Sequence, residues 1–246
     1  MFFAFFISFL STLGIGLAGF VVKPARLLHQ KLLLAFTGAY LFGITVLLLL
    51  PEVFTESYPG IGYWLLAGFV FQYLLEFLSE GIEHGHQHMH QHHAHDVHLP
   101  IGLMLGLCIH AFFEGIPMVR HLADGNIKIS ETLLLGVAVH NIPISLTLVQ
   151  VLRECGLKNK PVILLLLLFS VMTPLGILAG GYFYTGIAAG HEQWHAWFLA
   201  FAIGIFLHIS TTILFESHQS HRFNLQKTVV ILLGFACALG FFLGGA

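Results

Sequence analysis

Apolar residues run in blocks of about twenty, and the breaks between them collect most of the charged side chains. A bilayer core about 30 Å thick needs roughly 20 apolar residues per helix. Blocks of that length lie at 2–22, 31–51, 61–81, 100–119, 131–152, 161–184, 195–215 and 228–245. The pattern predicts an all-α integral membrane protein of eight transmembrane helices, with 1–246 as a single membrane domain. The first block is apolar from its second residue and has neither a basic leader nor a convincing cleavage site, so it reads as a retained helix and not a secretory signal.

The blocks also echo one another. LGIGLAGF (13–20) resembles LGILAGGY (175–182), LFGITVLLLLPE (41–52) resembles FLHISTTILFES (206–217), and GFVFQYL (68–74) resembles GFACALG (234–240). The offsets are 162, 165 and 166 residues. Five crossings separate the first segment from the sixth, so the two run in opposite directions. This predicts an inverted-topology repeat of helices 1–3 and 6–8 in a 3+2+3 arrangement, a frequent plan among secondary transporters.

Composition agrees with a membrane solvent. Hydrophobic residues make up 57% of the chain and charged residues 9%, against about 25% charged in soluble domains. A net charge of −2 argues against a nucleic-acid partner. Cys108, Cys155 and Cys237 are too widely spaced for a disulfide framework or a CxxC site and read as small buried hydrophobes. Lys23, Arg26, Lys31, Arg153, Lys158, Lys160, Arg222 and Lys227 fall in or beside loops one, five and seven, leaving only Arg120 and Lys128 for loop four. By the positive-inside rule both termini face outside and the odd loops face the cytoplasm, in a multi-pass protein of the cell (inner) membrane.

Two helices carry chemistry. Segment four reads GLCIHAFFEGIPM, with His110 and Glu114 one turn apart on one face. Segment five reads GVAVHNIPISL, with His140 and Asn141 at comparable depth. Ionisable groups inside the hydrocarbon layer need a partner or a wet cavity. Nitrogen and oxygen donors of this kind suit zinc, iron, cobalt and nickel, and three protein ligands leave a position open for exchange. Pro117 and Pro143 each follow a ligand pair, which predicts broken helices forming the site wall.

Loop three, at 82–99, holds His84, His86, His88, His90, His92, His93, His95 and His98. Such a run offers many weak, transient metal contacts but no single tetrahedral site, and it fits a cytoplasmic buffer or sensor. Glu52 and Glu56 end segment two and fit a cation entrance, His208 inside segment seven fits a ligand or exit path, and Glu216 marks that helix's cytoplasmic end. His191 and His195 read as interfacial residues of an outer loop.

These features together resemble the ZIP (Zrt-, Irt-like) family of divalent metal transporters. The resemblance rests on eight segments, LLLAFTGAYLFGITVLLLLPEVF in the second, the histidine-rich loop after the third, HxxxEG at His110–Gly115 and HNIP at His140–Pro143. It implies the three-two-three helix arrangement and puts Tyr40 near the site. Many members hold two adjacent metals bridged by carboxylates. This chain has Ala111, Ile144 and Thr173 where the second metal's ligands usually stand, so one metal position is expected, formed by His110, Glu114 and His140 with Asn141 as a further candidate ligand.

The expectation is transport of a divalent transition metal into the cytoplasm by alternating access, with zinc foremost and iron, manganese, cadmium and cobalt open. The metal is substrate and no cofactor is expected; no Walker motif points to ATP. The partners expected are the metal and the lipid bilayer, and a homodimer is an assembly open to the chain. A membrane metal sensor or binding protein that does not transport is the alternative. A membrane metalloenzyme with Glu114 as general base is the third class, disfavoured by the lack of HExxH and of a second acid; no enzyme is expected.

Overall fold

The computed structural model describes residues 2–21, 27–55, 58–79, 100–121, 127–185, 193–216 and 225–244. The histidine-rich segment 82–99, Glu56 and His191 lie outside them. Among the described residues the chain forms eight helical rods, one for each apolar block. They are α1 (Phe2–Ala18), α2 (Leu27–Ile44) continued through a π turn (Thr45–Leu49) into α3 (Leu50–Thr55), α4 (Ile61–Ser79), α5 (Ile101–Gly115), α6 (Glu131–Glu154), α7 (Asn159–Thr185), α8 (Gln193–Glu216) and α9 (Leu225–Leu243).

Six rods are long and apolar enough to cross a bilayer, while Phe2–Ala18 and Ile61–Phe77 are shorter apolar helices. At about 1.5 Å per residue, the 17 residues of α1 rise less far than the 2–22 block implied. The first rod ends early because Gly19, Phe20 and Val21 close successive tight turns onto Gly16, Leu17 and Ala18. Large apolar side chains such as Phe3, Leu66, Phe77, Leu164 and Leu232 point away from the bundle. Water would penalise that surface and lipid would not.

The π turn sits immediately before Pro51. Proline has no N–H to donate, and its ring crowds the carbonyl four residues back. One wide turn relieves that crowding, and the Leu50 N–H reaches back to the Thr45 carbonyl. Downstream, α5 gives way to a single 3-10 turn (Ile116–Met118) containing Pro117. A short antiparallel hairpin follows, β1 (Val119–His121) with β2 (Ile127–Ile129), in which Arg120 pairs with Lys128. Ser130 caps α6 by accepting from the Leu133 N–H.

The helices pack in pairs. The closest are α4 on α8, α2 on α9, α5 on α7 and α1 on α6, with α1 also on α7 and α2 on α8. Exchanging α1 with α7, α2 with α8, α4 with α9 and α5 with α6 maps every one of these pairs onto another or onto itself. One apolar core joins Leu107 and Ala111 of α5, Ile144 and Leu148 of α6 and Leu166 and Phe169 of α7, with Leu13 of α1 against it. A larger core runs through α2 and α8 and reaches the first turns of α6. Glycine permits close crossings: a Cβ at Gly68 would strike the Phe201 carbonyl and one at Gly204 the Leu65 carbonyl, where α4 meets α8. A Cβ at Gly176 would strike the Phe112 carbonyl and one at Gly115 the Thr173 carbonyl, so α5 and α7 also meet backbone to backbone.

Candidate metal site

His110 and Glu114 lie one turn apart on α5, and their side chains meet, Nε2 to Oε1, at 2.9 Å. α6 brings His140 beside them, its ring at 81° to that of His110 with centroids 6.2 Å apart. One donor atom from each of the three residues lies within 4.8 Å of the others. All three side chains are fully buried. The sequence placed these residues on two different helices, and the fold brings them to one point.

That point suits a cation. A contact this short between an imidazole nitrogen and a carboxylate oxygen is bridged either by a proton on Nε2 or, where Nε2 presents its lone pair, by a cation. Glu114 Oε2 and Asn141 Oδ1 are buried and accept no hydrogen bond among the described residues. A buried polar atom left so costs about 1–3 kcal/mol. Two imidazoles and one carboxylate form a donor set that zinc accepts in open three-ligand sites. Asn141 follows His140 on α6, about 100° further round the helix, and is itself buried.

Gln72 of α4 went unassigned in the sequence reading. It is fully buried, and its Oε1 lies 3.1 Å from Nδ1 of His110. A lone amide inside an apolar span was the signal that could have found it.

The proline expectation holds at one position only. Pro117 follows the end of α5, whereas Pro143 lies inside an unbroken α6. Pro143 withholds one N–H, the one that would reach the Val139 carbonyl, and α6 runs on through that single fault to Glu154.

The positions where a second metal's ligands would stand are packed. Ala111 and Ile144 belong to the apolar core of α5, α6 and α7, and Thr173 is buried where α7 crosses α5. Tyr40 stacks on Phe36 and belongs to the larger core of α2 and α8. His208 is buried in α8, 3.5 Å from Glu76 Oε2 of α4. Glu52 lines a cavity of about 480 Å³ with Lys128, Glu131 and Phe241. Glu216 closes α8.

Two expectations about minor residues change. His195 is a buried residue in the first turn of α8, not part of a loop. α8 starts early because Trp194 packs on Phe183, and Trp197 stacks on Trp64 while donating Nε1–H to the Pro59 carbonyl. Cys237 is exposed on α9 rather than buried, while Cys108 and Cys155 pack against the apolar core.

An apolar helix bundle around a wholly buried His–Glu–His cluster defines a multi-pass integral membrane protein with a polar site inside its spans. The family model for the ZIP zinc transporter matches residues 98–241, and the chain belongs to that family. The match runs from just before α5 into α9 and so includes every residue of the cluster. Membership carries divalent metal transport with it. A search of the curated proteins finds no match.

Proposed function

We propose that this chain moves a divalent transition metal, zinc before others, into the cytoplasm by alternating access through one site made by His110, Glu114 and His140. The observation that carries this reading is the convergence of three fully buried donors from α5 and α6 within 4.8 Å. Neutral imidazoles favour zinc over magnesium or calcium. A single carboxylate leaves the loaded site net positive, which weakens binding in a low-dielectric pocket and favours release.

Packing supports a moving site. α5 is joined to α7 through glycine, and α6 packs on α1, while α4 pairs with α8 and α2 with α9. The pairing is the one an inverted repeat would produce, and it divides the helices into a set that bears the site and a set that flanks it. Inside the flanking set, Glu76 and His208 offer a further station one turn along α4 from Gln72. With the termini outside, that turn lies on the cytoplasmic side of the site. The cavity at Glu52 then opens near the outer face as an entrance, and the eight histidines of 82–99 serve as a weak cytoplasmic metal buffer.

The second reading is a metal sensor or binding protein that does not transport. Ala111 and Ile144 favour it, since they fill the neighbouring volume with hydrocarbon. Equilibrium zinc binding by the purified protein tests the site itself. Wild type should hold one zinc at this site, and His110→Ala and His140→Ala should each lose it; wild-type affinity in both variants would remove the site.

A further inference from the structure

We infer that Gln72 is a positioning residue for the metal site: it fixes the tautomer of His110 so that Nε2 presents its lone pair to the cation. The inference rests on His110, Glu114 and His140 being that site. Gln72 stands on α4 among Phe69, Val70, Phe71, Leu74 and Leu75, and is itself fully buried. An amide in such a span is expensive unless its polar atoms are engaged.

Its Oε1 lies 3.1 Å from His110 Nδ1. A carbonyl oxygen can only accept, so Nδ1 must carry the hydrogen and donate it. A neutral imidazole has one N–H, which leaves the lone pair on Nε2. Nε2 is the atom that faces Glu114, 2.9 Å from Oε1. The opposite tautomer would put an N–H where a metal needs a donor pair. Histidine ligands commonly give their second N–H to an oriented acceptor, and loss of that acceptor typically costs about 10- to 100-fold in affinity.

The bond also joins two helix pairs, because α4 packs on α8 and α5 on α7. Orientation of the ligand therefore depends on how α4 and α5 are placed against each other.

Cobalt(II) binding to the purified full chain tests this, read as a dissociation constant and as the visible d–d band of the bound ion. The loop histidines are common to every variant, so differences report the buried site. Gln72→Leu should weaken binding about 10- to 100-fold and alter the band, with an unchanged melting temperature without metal. Gln72→Met is the second apolar variant should leucine prevent folding. Gln72→Glu can only accept, and should bind within about threefold of wild type if the amide acts as an acceptor. Wild-type affinity in the apolar variants would overturn the inference. So would a Gln72→Glu protein as weak as Gln72→Leu, since the amide would then be the donor. His110→Ala separates the two layers: if it binds cobalt like wild type, the site reading itself fails, whereas loss in His110→Ala with none in Gln72→Leu removes Gln72 alone.

Discussion

His208 of α8 and Glu76 of α4 meet at 3.5 Å, one helical turn along α4 from the glutamine that reaches His110. α4 therefore carries two polar side chains on one face, each engaged with a histidine of a different helix. Phe69 and Tyr73 pack edge-on against the His208 ring and hold it there.

A pathway role for this pair separates rate from affinity. Glu76→Gln and His208→Ala should each cut the maximal rate of zinc uptake about tenfold, the scale typical of a lost outer partner. Zinc affinity of the purified protein at the buried cluster should stay within about threefold of wild type, because neither residue belongs to it. Paired uptake kinetics and equilibrium binding check this; equal losses in rate and affinity would assign the pair to the site itself.

The apolar filling beside the cluster makes a second prediction. Family members usually carry a glutamate at the position of Ile144, but here that side chain is buried against Leu107 and Leu148. Ile144→Glu should lower stability by about 3–5 kcal/mol, the scale of an uncompensated buried charge, and should not add a second tightly bound zinc. Thermal unfolding and metal stoichiometry decide it. Two zinc ions per chain at an unchanged melting temperature would mean that the second site was only dormant.

The crossing of α5 on α7 should tolerate no added volume. Gly176→Ala places a methyl group against the Phe112 carbonyl and should cost about 1–3 kcal/mol through overpacking. Gly14 has open space around it, so Gly14→Ala should leave the melting temperature unchanged or slightly raised. Melting curves of the two variants in the same detergent make the comparison.

Much of this architecture was legible in the chain because its solvent is simple. Hydrocarbon forces apolar blocks into helices, so the eight rods follow the blocks to within a few residues at most ends. The buried cluster was legible for the same reason, since His110, Glu114 and His140 are conspicuous where charge is costly. Gln72 escaped notice because an amide is less conspicuous than a charge, and because its partner is 38 positions away. The π turn before Pro51 and the three-residue strands of the hairpin depend on backbone hydrogen bonding too local to leave a periodic signal. Pro143 marked a break that the helix avoids, since one missing N–H within 24 residues interrupts the ladder at a single carbonyl.

Zinc-65 uptake into proteoliposomes, without ATP, tests the central claim most directly, with wild type beside Glu114→Ala. Saturable uptake down an imposed zinc gradient in the wild type, lost in the variant, is the predicted result. Uptake by Glu114→Ala at the wild-type rate would contradict transport through the buried cluster. A wild type that binds zinc yet takes none up would establish the sensor reading in its place.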